Sequence, residues 1–123
     1  MRFLRACVRG RVSFKATAGL HHPLRAEYPL TYEPDSVRGT MYGYLNVFLA
    51  ATMAHIGASD AEVAEALQLT DRAAVAITEE SIAWGGIAIP ADAIALARGS
   101  FALGFGSCSF REPLDDLAAI PRR

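Results

Sequence analysis

Cysteine is scarce in this 123-residue chain: Cys7 and Cys108 are the only two. They supply neither a disulfide framework nor a metal-ligand spacing. Both are expected to pack as small buried residues in a reducing compartment. An excess of one charge is also missing, since 12 basic and 13 acidic side chains leave a net −1. There is thus no electrostatic footprint for nucleic acid or an anionic membrane. No signal-peptide core is present, because Arg5, Arg9 and Arg11 interrupt Phe3, Leu4 and Val8. The most apolar stretch, 41–58, barely reaches the about 20 residues of a membrane span. It also carries Asn46, Thr52 and His55, which are costly in lipid. These absences point to a cytoplasmic protein that uses neither nucleic acid nor membrane as a partner.

What is present is core-forming material. Hydrophobic residues make up 52%, charged residues 20%, and mean hydropathy is +0.21. That suffices for one domain, is too little for two, and excludes general disorder.

Along the chain, Arg2 to Arg9 reads as the last turns of an amphipathic helix, stopped by Gly10. Residues 12–18 alternate as a short strand, with Val12, Phe14, Ala16 and Ala18 on one face and Ser13, Lys15 and Thr17 on the other. Residues 20–39, with Pro23, Pro29 and Pro34, read as a long polar loop, and loops of that length are commonly functional. A helix buried nearly all round follows at about 40–57. Ser59 and Glu62 form a capping box that opens a helix at about 60–69.

Residues 74–84 fit a β-hairpin or a continued helix, and the period-two placement of Val75, Ile77, Ile82 and Trp84 favours the hairpin. Pro90 starts a helix with Ile94, Ala97, Phe101 and Phe105 at helical spacing, weakened by Gly99. Residues 106–110 read as a strand, and Glu112-Pro113 as a strong helix start.

This order predicts an α/β fold, helix-rich, with two short parallel strands and the hairpin. Two core strands do not close a barrel. Residues 1–123 are therefore expected to be a single α/β domain acting as a homo-oligomer, or the C-terminal fragment of a larger barrel whose N-terminal half is missing.

The words Phe14-Lys15-Ala16-Thr17-Ala18-Gly19-Leu20-His21-His22-Pro23, Tyr42-Gly43-Tyr44-Leu45-Asn46 and Phe105-Gly106-Ser107-Cys108-Ser109-Phe110 resemble the C-terminal part of a family of longer, functionally unassigned bacterial proteins. Their sequences have a TIM-barrel-like (β/α) pattern. The resemblance runs from about Phe3 to Leu117 and implies a partial (β/α)-barrel-like unit. Its strands would open at their C-terminal ends onto the active site. Lys15, Thr17, His21 and His22 would sit at one strand mouth, and Ser107, Cys108 and Ser109 at another.

Three constellations carry chemistry. Lys15-x-Thr17-x-Gly19 resembles the lysine strand of class I aldolases of the deoxyribose-phosphate type, where Lys15 would correspond to the Schiff-base residue. A desolvated lysine attacks carbonyls, whereas a strand-end lysine commonly snorkels to solvent. His21 and His22 would supply acid-base catalysis or ligate a divalent metal, and otherwise pack the loop through hydrogen bonds. Thr17, Arg25, Asn46, Ser107 and Ser109 are the candidate substrate-binding residues. For Asn46 a hydrogen-bonding role within the fold is the plainer reading, for Arg25 a solvated surface, and for Cys108 core packing.

The leading expectation is an enzyme-type module performing carbonyl or lyase-like chemistry on a small polar metabolite. Lys15 would be its nucleophile or cation, with His21 or His22 as acid-base group. The rivals are a metal-dependent hydrolase using His21 and His22, and a non-catalytic binding or oligomerisation module.

Overall fold

The computed structural model describes residues 1–17 and 19–120. Helix α1 (Arg2–Gly10) turns Leu4 and Cys7 inward. Its stop is Arg11 rather than Gly10, in the left-handed conformation at φ 51°. The cost of that conformation is offset because Arg11 and Val12 donate their N–H groups to Val8 and Cys7, satisfying last-turn carbonyls. Strand β1 (Phe14–Ala16) is shorter than the 12–18 expected. Val12 is exposed, and Ala18 lies outside the described residues.

The 20–39 segment is not the plain loop expected. Within it, β2 (Ala26–Pro29) pairs antiparallel with β3 (Arg38–Met41), Ala26 facing Met41 and Pro29 facing Arg38. The two strands form a separate sheet, so Pro29 sits in an edge strand, where a missing N–H is tolerated. Because 38–41 is committed to this pairing, α2 begins at Tyr44 and runs to His55 instead of starting near 40.

Helix α2 is buried nearly all round, as its composition predicts, and Leu49, Ala50, Ala51, Met53 and Ala54 form the centre of the core. Helix α3 (Asp60–Gln68) packs on it and starts at the expected capping box. Ser59 Oγ accepts from Glu62 N at 3.3 Å, and Glu62 Oε2 accepts from Ser59 N at 2.8 Å. No helix among the described residues is long and apolar enough to cross a membrane.

The hairpin reading of 74–84 holds and extends. Strands β4 (Ala76–Ile77), β5 (Ser81–Trp84) and β6 (Ile87–Pro90) form an antiparallel meander. Gly85 and Gly86, at φ 51° and 85°, provide the turn between the last two. Helix α4 (Ala91–Ser100) ends before the helical spacing does. Phe101 leaves the helix and β7 is Ala102–Phe105, upstream of the 106–110 strand expected. Strand β7 pairs parallel with β1, placing Phe14 opposite Ala102 and Ala16 opposite Phe105. Helix α5 (Glu112–Ala118) begins with proline in its first turn, as expected.

The class is α/β: helices around one parallel strand pair and two antiparallel sheets. The strands lie in three separate sheets, so no barrel closes among the described residues.

Candidate functional site

Two glycines let backbone segments meet. A β-carbon on Gly43 would sit 2.1 Å from the Pro23 carbonyl oxygen, so only glycine fits. This approach lets Tyr44 and Leu45, whose N–H groups have no partner within the first turn of α2, donate to the carbonyls of His22 and Pro23 at 2.9 and 3.0 Å. The histidine segment is thereby pinned onto the start of α2. At Gly106 a β-carbon would lie 2.7 Å from the Thr17 carbonyl oxygen, and its N–H donates to Ala16 at 2.8 Å. The chain leaving β7 therefore runs beside the chain leaving β1, and Ser107 and Cys108 reach His21.

The result is a half-buried cluster just past the C-terminal ends of the two parallel strands. Cys108 Sγ lies 3.4 Å from His21 Nε2 and 3.8 Å from Nδ1. The sulfur therefore rests against the ring, off the axis of either nitrogen lone pair. The cysteine side chain is exposed. His21 Nδ1 is 3.0 Å from Ser107 Oγ and 3.6 Å from Glu112 Oε2. When Nε2 is the acceptor, the Nδ1–H donates to Ser107, whose oxygen also accepts from Ser109 N at 3.2 Å.

His22 turns the other way. Its Nδ1 donates to Asp116 Oδ2 at 2.7 Å, and its ring stacks on Tyr28 with centroids 3.5 Å apart. Arg72 stands 3.8 Å behind Asp116. Glu112 lies between the two rings, 3.6 Å from His21 Nδ1 and 3.9 Å from His22 Nε2, while Asp116 serves His22 alone; the two acids are one helical turn apart on α5.

A cavity of about 350 Å³ opens on this cluster, lined among others by His21, His22, Tyr32, Glu33, Cys108 and Glu112. Among the described residues its charged lining consists of Glu33 and Glu112, with His21 and His22 beside them and neither lysine nor arginine. Tyr32 donates to Glu112 Oε2 at 3.4 Å, and the carboxylate charge beside it holds the phenol above its ordinary pKa. Its O–H therefore stays protonated at neutral pH.

The remaining sequence candidates separate. Lys15, the chain's single lysine, and Thr17 are exposed and do not line the cavity. Arg25 lies over the Tyr42 ring at 5.6 Å, also away from the lining. Ser109 Oγ accepts from Glu112 N at 3.1 Å, which fixes the start of α5. Asn46 is wholly buried. Its Oδ1 accepts from Arg25 N and Gly43 N, and its Nδ2 donates to the carbonyls of Ala66 and Leu69. All four hydrogen-bonding positions are filled, leaving none for a ligand.

His21 and His22 do not converge on one point, and no group of three or more His, Cys, Asp or Glu side chains among the described residues is arranged to hold a metal ion. Cys7 packs in the core, as expected, whereas Cys108 is exposed beside His21 rather than buried. Glu112, Asp116, Tyr28 and Tyr32 were not among the candidates. The four-residue spacing of Glu112 and Asp116 on a helix was the available signal, opposite two adjacent histidines.

No protein-family model matches the chain, and no curated protein or solved structure matches it either.

Proposed function

We propose that the protein is a cytoplasmic enzyme that uses Cys108 as a nucleophile toward an electrophilic carbonyl carbon of a small metabolite. The observation that carries this reading is the Cys108 Sγ to His21 Nε2 separation of 3.4 Å at the mouth of the 350 Å³ cavity. A thiol next to an imidazole, whose other nitrogen faces a hydroxyl and a carboxylate, has the parts of an activated nucleophile. His21 takes the thiol proton and the sulfur forms a C–S bond as the carbonyl π pair moves to oxygen. The pair returns as the bond from that acyl carbon to its ester or amide leaving group breaks, and the leaving group takes the proton from His21. Water then gives a proton to His21 and attacks the thioester carbon; the C–S bond breaks, the acid departs and the sulfur recovers the proton from His21. Tyr32, its O–H directed to Glu112, offers the substrate its phenol oxygen as an acceptor. The acidic lining favours a neutral or cationic metabolite over a phosphorylated one.

The position of the cluster, past the C-terminal ends of parallel β1 and β7, also supports the finer fold reading. Sites in (β/α) barrels lie at that end, which fits the C-terminal part of a longer barrel-like protein. A reducing compartment keeps Cys108 a thiol.

The test is incubation with an activated acetyl ester, followed by mass analysis. An acetyl group is expected on Cys108, absent in Cys108→Ser, and formed at least about tenfold more slowly in His21→Gln, in line with loss of a general base. Equal rates with and without His21 would overturn the reading. Acetylation at Lys15 in place of Cys108 would do the same and return the nucleophile to that residue.

A further inference from the structure

A second cavity, of about 320 Å³, lies on the other side of α5. Its walls are Tyr44 and Phe48 of α2, Ile94 of α4, Phe105 of β7 and Leu114 of α5. Two lining residues carry polar groups, and one of them, Tyr44 O–H, already donates to the Pro113 carbonyl at 2.8 Å. The remaining surface is apolar except for one residue, Arg98, whose guanidinium lies over the Phe48 ring at 4.8 Å. Among the described residues no carboxylate pairs with it.

We infer that this cavity binds an apolar carboxylate, with the chain or ring of the ligand between α2 and α5 and its head group on Arg98. An apolar cleft gains from burying hydrocarbon, and a lone guanidinium at its rim offers the planar fork that matches a carboxylate. The volume is at the lower end for ligand pockets, about 300–1,000 Å³, which favours a medium-chain over a long-chain acid. Leu114 is exposed at the edge of the cleft. The site is separate from the Cys108 cluster and does not depend on its chemistry.

Calorimetric titration of the whole chain with octanoate, and in parallel with octanol, tests the assignment. Octanoate is expected to bind with one-to-one saturation. Arg98→Gln is expected to weaken it at least about tenfold, as for loss of one charge-assisted hydrogen bond, while octanol affinity stays unchanged. Arg98→Lys should restore part of the loss. Arg98 is solvent-exposed, so these variants leave the core intact. Absence of octanoate binding at millimolar concentration, or an equal response of acid and alcohol to Arg98→Gln, would overturn the proposal. So would self-association through this face that excludes octanoate, which would give the cavity to a second copy of the chain.

Discussion

Two polar clusters, around Asn46 and around His21, sit within one fold and use their hydrogen-bonding groups differently. Asn46 is 0% exposed and each of its four hydrogen-bonding positions is matched to backbone. It ties the 22–25 segment, the start of α2 and the end of α3 into one unit. In the His21 cluster the imidazoles are partly exposed, the cysteine is open to solvent, and a cavity faces them. A saturated polar group inside a core holds a structure together. Groups that retain unused capacity at a cavity are free to act on something else. Position along the chain does not separate the two roles, because Asn46 holds Arg25, only three residues past His22. Capacity does.

The largest expected effect breaks the structural side of this contrast. Asn46→Leu orphans two N–H groups and two carbonyls and should lower unfolding stability by at least ~3 kcal/mol in urea. Gly43→Ala drives a β-carbon into the Pro23 backbone and should displace the histidine segment as well as destabilise. A loss below ~1 kcal/mol for Asn46→Leu would remove the distinction between the clusters, since ordinary surface substitutions reach about half of that.

The opposite pattern is expected at the other cluster. His21→Gln and Cys108→Ser should shift urea stability by no more than about 1 kcal/mol, while abolishing or slowing thiol chemistry. A stability loss as large as that of Asn46→Leu would make His21 a packing residue.

Tyr44 lies between the clusters, and pH sharpens the contrast there. Burial pushes its phenol up to about 12, with the Asp116 charge adding and Arg72 opposing. The folded value exceeds the unfolded one near 10. Its contribution is therefore complete below pH 10 and is lost as pH rises from about 10 to about 12. Tyr44→Phe should flatten alkaline unfolding over that window, followed by circular dichroism.

The smallest effect is at the cap of α3. Ser59→Ala should cost about 1 kcal/mol. Glu62, held below its ordinary pKa by the Ser59 hydrogen bonds, contributes stability above its unfolded pKa that is lost as pH falls through the folded one. A thermal scan at acid pH should show that dependence weaken but persist in Ser59→Ala, which keeps the backbone N–H that Glu62 Oε2 accepts at 2.8 Å.

The parts of the fold that were legible carried local signals: the Ser59–Glu62 cap, the apolar circumference of α2 and the Pro113 helix start. The misplaced parts depended on long-range partners. Arg38–Met41 has little alternation of its own and becomes a strand because Ala26–Pro29 lies opposite. Phe105 continues the helical spacing of α4 in sequence, but reaches Tyr44 from a strand, with ring centroids 4.8 Å apart. The site was half legible. His21 and His22 were visible as chemistry, whereas Cys108 looked like a core residue until Gly106 was seen to bring β7 against Thr17. Close approach between distant backbones leaves only a glycine in the sequence, and many glycines serve other ends.

The most direct measurement is the rate at which iodoacetamide alkylates Cys108 at neutral pH in the native chain and in His21→Gln, with buried Cys7 as the internal reference. Cys108 is expected to react at least about tenfold faster when His21 is present, because the imidazole removes the thiol proton. Identical rates in the two proteins would mean that the pair is a contact without chemistry, and would contradict the account.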